Sequence, residues 1–519
     1  MIESSKPLGR VLMVQGTASH AGKSTLVAAL CRVYAQAGLR VAPFKAQNMS
    51  NNAAVTDDGR EVGRAQAVQA MAAGVPVTVD MNPVLLKPQA DNKSQIVVLG
   101  RARHTADARE YYALKSELWP VVTGALDRLR AAYDLVVVEG AGSPAEINLA
   151  QYDIVNMRIA RYANAPVLLV GDIDRGGVFA ALYGTVALLQ PEERALVRGF
   201  IINKFRGDGS LLTPGFEMLR ERTGIPTLGV LPFLDLSRVP EEDALNWEGL
   251  RQAGDGDAVI DIAILRLPRV ANLDEFQPLA REPGVRIRFV GTAAEFGTPD
   301  LVIIPGTKAT LADLAWLRER GLDRRIVECR TRGIPILGIC GGFQMLGDRL
   351  IDESGAEAVG AADGLGLLPV TTRFSREKTT RKVRARVVRT SALWSADVHA
   401  TLDAYEIHMG RTVATAGGES LDGVAAFEVV SSEGLHSDGY RSADGLVVGT
   451  YLHGLLENGP LRREWLACLA ARKGVRLPEA TSELSINDAF DSLADVVREH
   501  IDLAAIDDMI GIRPMATAL

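Results

Sequence analysis

Residues 11–25 read VLMVQGTASHAGKST. Val11–Gln15 is a short apolar run that stops at Gly16. Gly22-Lys23-Ser24-Thr25 follows, and from Gly22 to Ala37 the side chains of Leu26, Leu30, Val33 and Ala37 recur at helical spacing. The order is therefore buried strand, glycine-rich turn, helix. Backbone N–H groups of such a turn, at a helix N-terminus, form a cradle for an anion. Lys23 is placed to reach the β- and γ-phosphates of a nucleotide, and the Ser24 hydroxyl to ligate Mg²⁺. Five residues separate Gly16 from Gly22-Lys23 where the ordinary phosphate loop has four, so the turn is a stretched variant.

Outward from this turn, short β-branched runs alternate with helical patterns. Leu135–Glu139, Pro166–Gly171, Gly199–Asn203 and Thr227–Leu231 read as further buried strands, each bounded by Gly, Pro, Asn or Asp. Strand–helix alternation predicts a parallel, doubly wound sheet. The rhythm breaks at DLSRVPEEDALNWEGLRQAGDGDA, acidic and weakly periodic, and the linker is placed at residues 236–258. A second α/β series follows with Val259–Leu265, Val285–Val290, Leu301–Pro305 and Ile334–Ile339. Beyond Thr371 the pattern is strand-rich until Gly459, and Ser482–Asp507 reads as a helix lying against the body. The expected organisation is a nucleotide domain over 1–235, the linker, a second α/β domain over 259–480 and a helical tail over 481–519.

A metal site beside the phosphate turn needs carboxylates. Glu139 ends its strand in EGAG, at the carboxyl edge where α/β sheets place ligands. Asp58 and, less directly, Asp57 lie in the polar loop VTDDGRE after Lys45; a solvated turn is the competing reading. Asp172 and Asp174 stand at another strand end, GDIDRGG, where Asp174 could instead cap a helix. Asn203 closes the strand RGFIIN; it offers a donor and an acceptor to a nucleobase edge, or serves as a turn residue.

The second series contains a different chemistry. The strand Ile334–Ile339 runs into Cys340-Gly341-Gly342 and then a helical pattern. A thiol on a strand-to-helix turn flanked by glycines has the form of a nucleophile elbow. A helix N-terminus favours thiolate, and the Gly341 N–H can face an oxyanion. Gly306, in the turn of LVIIPGTKATLADL, is a candidate second oxyanion donor. His453, at a strand end in VVGTYLHGLLENG, is the expected base, with His408 in YEIHMGRT as runner-up or substrate contact. His20 belongs to the phosphate turn, and His104, His399, His436 and His500 read as solvated.

The whole-chain arithmetic narrows the partners. At 519 residues the chain exceeds one ordinary domain. Lys+Arg 57 against Asp+Glu 64 leaves no basic footprint, so nucleic acid is not an expected partner. Cys31, Cys329, Cys340 and Cys468 are widely spaced and fit neither a disulfide scaffold nor a zinc site, as expected of a cytoplasmic protein. No leader-like apolar segment and no run of 18 apolar residues is present, so no membrane partner is expected.

Cys340 in GICGGFQMLG with His453 in YLHG resembles a class I glutamine amidotransferase domain of the cobyrinate type. The stretched Gly16–Thr25 turn with EGAG resembles dethiobiotin synthetase. Both on one chain, with FKAQNMSNNA, EVGRAQ, GDIDRGGVFA, NKFRGD, PGTK and YEIHMGRT, are similar to the cobyric acid synthase family of vitamin B12 biosynthesis. The resemblance covers all but the linker and the tail. It implies an N-terminal, dethiobiotin synthetase-like, ATP- and Mg²⁺-dependent amidoligase domain and a C-terminal amidotransferase domain. It implies that L-glutamine is cleaved through a thioester on Cys340, and that ammonia amidates the b, d, e and g carboxylates of the corrin adenosylcobyrinic acid a,c-diamide. It places Thr17, Ala18, Ser19, His20, Ala21, Gly22, Lys23, Ser24, Thr25 and Lys45 at the nucleotide, Ser24 and Glu139 with Asp58 or Asp57 at Mg²⁺, and Asn203 at the adenine. Many class I glutaminases carry a Glu two residues after the histidine; here that position is Leu455, so the histidine's orienter is a backbone group or Glu406. The alternatives are an a,c-diamide synthase, sharing both domains, and a ParA/MinD-like ATPase switch, whose second lysine is missing from Ala18–Ala21.

Overall fold

Leu135–Glu139 is apolar at four of five positions and buried at all five, as a strand covered on both faces must be. It belongs to a six-stranded sheet in the order Thr227–Pro232, Val197–Phe205, Val167–Asp172, Arg10–Gly16, Leu135–Glu139, Val41–Phe44, every neighbouring pair parallel. This computed structural model describes residues 8–90, 92–234, 258–394, 401–415, 425–431, 434–479 and 485–512. The five strands expected from the sequence are all present, and Val41–Phe44 adds an edge. Register brings the functional ends level: Val14 pairs with Glu139, Gly16 with Val170, and Asp172 with Asn203. All four strand ends therefore open on one rim, the usual crevice of a doubly wound sheet.

Between Phe44 and the helix Ala108–Ala132 the chain builds what the sequence did not reveal. Gln47–Met49, Val84–Ala90, Lys93–Val98 and Arg101–Asp107 form a four-stranded sheet, and Ala53–Val55 pairs with Glu61–Gly63. This layer faces the second half of the chain: Ala53, Val55, Leu85 and Val97 share a small core with Ile407.

The second half has its own sheet, ordered Val285–Val290, Ile260–Leu265, Leu301–Ile304, Ile336–Ile339, Val447–Thr450, Tyr440–Arg441. Its first five strands run parallel and the last antiparallel. The strand-rich region after Thr371, joined by Arg349–Asp352 and Gly360–Asp363, forms a further seven-stranded sheet around Val370–Val387 and Leu402–Ala414. Leu452–His453 leaves the parallel sheet and joins this one, pairing His453 with Tyr405.

The tail is two helices, Ile486–His500 and Leu503–Ile510, rather than one. Ser485 caps the first, its hydroxyl accepting from the Asp488 N–H. The apolar stripe of Phe490, Leu493, Val497 and Ile506 is buried against Leu26, Val27 and Leu30 of the first helix, Lys23–Gln36. The tail thus docks on the nucleotide half, not on the half that precedes it. The expected linker lies outside the described residues except for Ala258. Among the described residues no helix is long and apolar enough to cross a membrane.

Candidate active site

At the first rim, Gly22 has φ 95°, a conformation L side chains rarely adopt, and a Cβ there would lie 1.9 Å from the Asn203 amide nitrogen. Asn203 Nδ2 donates to the Ala21 carbonyl at 2.9 Å and so fastens the turn. Lys23 Nζ curls back to the Ala18 and Gly142 carbonyls at 2.9 and 3.2 Å. Glu139 is buried and receives three donors: Ser24 Oγ at 2.8 Å, Lys45 Nζ at 2.9 Å and Gln69 Nε2 at 2.6 Å. Burial raises the Glu139 pKa, but Lys45 and these hydrogen bonds outweigh it and hold the carboxyl below its ordinary value. Ser24, Lys45, Glu139 and Asn203, named from sequence, meet here.

Asp172 takes Lys204 at 2.8 Å and sits one strand away; Asp174 pairs loosely with Arg206 at 3.5 Å. Gly177, not Asp174, occupies the N-cap of the following helix. Asp57 and Asp58 go elsewhere. Asp57 pairs with Lys382 at 2.6 Å, Asp58 with Arg60, and both line a separate surface pocket with Asp80 and Arg128. Among the described residues no group of three or more His, Cys, Asp and Glu is arranged to hold a metal ion. Two hard oxygens, on Ser24 and Glu139, remain at the turn; that suits Mg²⁺, which keeps its other positions for phosphate and water.

At the second rim, Cys340 has φ 51° and ψ −107°, between the strand Ile336–Ile339 and the helix Gly341–Leu346. Such strain persists only where its surroundings impose it. Here the backbone of Ile304 does so: a Cβ on Gly342 would lie 2.0 Å from the Ile304 carbonyl oxygen, so only glycine lets the two turns approach. The Cys340 thiol points at the Ile407 carbonyl, 3.5 Å away, and lies beside His453 on the wall of one cavity. Gly306 lies within the same shell, its Cβ position 3.2 Å from His453 Cε1 and 3.7 Å from Cys340 Cβ; Gly341 packs against Thr307.

His453 is fully enclosed. Its ring stacks on Tyr405 with centroids 5.3 Å apart, and Nδ1 faces Glu275 Oε2 at 3.4 Å, with Asn272 Nδ2 also at 3.4 Å. Burial works against a charged ring, yet Glu275 and Cys340 hold the His453 pKa up at about 10. Glu275 fills the place the sequence reading left to a backbone group or Glu406. Glu406 turns away to Arg381 and His436, and although burial opposes it these partners bring its carboxyl down to about 2. His436, read as solvated, is thus a partner of Glu406. His408 stacks on Tyr451 at 3.9 Å, and burial pushes its pKa down to about 4. Its Nδ1–H donates to the Gly410 carbonyl at 3.0 Å, which leaves Nε2 as an acceptor.

A cavity of about 40 Å³ opens on Cys340, Gly306 and His453, and Asn51 and Lys87 of the nucleotide half complete its wall. The two rims are joined by one helix, Arg64–Ala73. Its Gln69 holds Glu139, and its Arg64 forms an ion pair with buried Asp274 at 2.7 Å and another with exposed Glu457 at 2.6 Å. Asp274 and Glu275 are adjacent in NLDEF, a single turn far from Cys340 in sequence. An acid pair inside an apolar segment was the available signal for it.

Residues 12–246 match the family described as a CobQ/CobB/MinD/ParA nucleotide binding domain, and residues 261–461 that described as a CobB/CobQ-like glutamine amidotransferase domain. The chain is 53% identical to a cobyric acid synthase of Sorangium cellulosum, across 96% of this chain and 98% of that one. It is 50% identical to one of Desulforudis audaxviator, across 97% and 99%. A third, of Dehalococcoides mccartyi strain CBDB1, is 47% identical across 96% and 98%.

Proposed function

Since the chain belongs to the cobyric acid synthase family and is an amidoligase, we propose that it makes adenosylcobyric acid from adenosylcobyrinic acid a,c-diamide, amidating carboxylates b, d, e and g with glutamine-derived ammonia. The Cys340 sulfur, its proton passed to His453, attacks the glutamine carboxamide carbon, and the carbonyl oxygen takes the negative charge. N–H groups at Gly306 and Gly341 face that oxyanion. His453 gives its proton to the departing nitrogen, ammonia leaves, and a thioester remains on Cys340. Water then adds with His453 as base; glutamate departs and the thiol is restored. Glu275 keeps the imidazole oriented and offsets its charge, the third role of a Cys-His-acid arrangement.

Ammonia is used in the nucleotide half. The residues Thr17–Thr25 with Lys45 hold ATP, and Asn203 stands at the base. A corrin carboxylate oxygen attacks the γ-phosphorus and ADP leaves; ammonia then displaces phosphate from the acyl phosphate, giving the amide. Lys23 offsets charge on the moving phosphoryl group. Mg²⁺ would be held by Ser24 and Glu139 and would supply further charge neutralisation there.

The observation that carries this reading is the conjunction at one cavity of a strained cysteine, a buried charged histidine and a buried carboxylate. Cys340→Ser tests it. Glutamine-dependent amidation is expected to vanish while ammonia-dependent amidation persists, followed by corrin mass with ATP and Mg²⁺. Failure of ammonia to rescue the variant would refute the division of labour. Stepwise gain of four amides would support the corrin assignment; one or two would favour the a,c-diamide reaction.

A further inference from the structure

Three lysines line the cavity beside Cys340: Lys87, Lys308 and Lys378. Two are already matched. Lys87 lies 2.5 Å from one oxygen of buried Glu61, and Lys378 takes the other oxygen. Glu357, the remaining acid of the wall, is capped by the Thr310 N–H at 2.6 Å and the Thr310 hydroxyl at 3.1 Å. Lys308 is different. It is 8% exposed, its Nζ hydrogen-bonds only the Met409 sulfur at 3.8 Å, and it forms no direct ion pair among the described residues, the charge of Glu357 acting on it from farther off. An enclosed ammonium with no carboxylate in direct contact is costly unless an anion joins it. The same wall carries a second unmatched atom: Asn51 Oδ1 is buried without a hydrogen-bond partner.

We propose that these two groups read the α-carbon of the amide donor, Lys308 binding its carboxylate and Asn51 its ammonium. This rests on the reading that Cys340 cleaves glutamine. The free amino acid has one anion and one cation at the end remote from its carboxamide, and the cavity offers one spare cation and one spare acceptor. Peptide-bound glutamine, having neither charge, is excluded by the same arrangement. Asn51 comes from the nucleotide half, so donor selectivity is completed across the boundary between the two halves.

The test uses the full chain and three amides: L-glutamine, 4-aminobutyramide, which lacks the carboxylate, and glutaric acid monoamide, which lacks the ammonium. Ammonia release gives kcat/KM for each. Lys308→Met is expected to lower kcat/KM for glutamine by about thirtyfold or more, mostly through KM, and to erase the parent's preference over 4-aminobutyramide. Lys308→Arg is expected to retain that preference. Asn51→Ala is expected to cost about tenfold or more with glutamine and to erase the preference over glutaric acid monoamide alone. Either variant treating the three donors in the parent's proportions would overturn the assignment. So would Lys308→Met slowing all three equally, which would put Lys308 at the reacting carbonyl. If the parent releases no ammonia from glutamine, the cleavage reading itself fails and not merely this one.

Discussion

Glu275→Gln isolates the charge behind His453. The two groups are 3.4 Å apart and both buried. At an effective dielectric of about 20, opposite charges at that distance attract by about 5 kcal/mol. The rise of His453 from 6.5 to about 10 corresponds to about the same energy. Glutamine keeps the shape and removes the charge, so burial, which lowers the pKa, goes unopposed apart from Cys340. The parent's imidazole holds its proton until pH rises through about 10; in the variant that loss moves down toward 6.5 or below. Glutamate release, measured against pH, should show its alkaline limb shifted to lower pH. Its rate at neutral pH should fall by about 10²–10⁴-fold, the range commanded by a positioned acid–base group. Ammonia-dependent amidation serves as the internal reference. A variant within about threefold of the parent, with the alkaline limb unmoved, would show that Glu275 does not support His453.

Three further outcomes follow from other parts of the structure. Lys23→Ala should lower ATP-dependent amidation by about 10²–10³-fold while glutamate release without acceptor continues, a contrast read by assaying the two products separately. Gly22→Ala combines a left-handed backbone with a Cβ 1.9 Å from the Asn203 amide, and should cost roughly 2–5 kcal/mol in a denaturant titration. Phe490→Ala empties a fully buried site between the tail and the first helix; a loss of about 3–5 kcal/mol is expected, with early protease cleavage ahead of Ser485.

The phosphate turn and the cysteine elbow were legible because each is local: an apolar strand, a glycine turn and a helix in unbroken succession. The parallel strands were legible for a related reason, since burial on both faces leaves continuous Val, Ile and Leu runs such as LVVVE. Glu275 was not, because nothing in NLDEF announces that a strand exchange at Leu452–His453 brings the histidine over it. The layer Gln47–Asp107 escaped for the opposite reason: its strands carry Asn, Lys, Gln and Arg among their apolar positions, so no period of two stands out. Asp58 shows the limit of composition alone. A DDG loop suits a metal, but Arg60 two residues on supplies a nearer partner. Lys308 lies in PGTK, which drew attention for its glycine, while its enclosure depends on Met409 from a distant strand.

The route of the tail has a consequence for the integrity of the molecule. The glutaminase half is, topologically, an excursion: the polypeptide leaves the nucleotide layer after Leu234 and comes back to it at Ser485. Besides the shared core at Ile407 and the Arg64 ion pairs, its two chain ends are held differently, one by a peptide connection and the other by an apolar seam reinforced by Arg32–Asp491 at 2.6 Å and by Tyr34 donating to Asp507 at 2.9 Å. One break between residues 235 and 257 would therefore not free the glutaminase. The fragments would remain mated through the seam, as complementing halves whose pairing depends on concentration. Co-elution of the nicked pieces would reveal this mating, and dilution would undo it.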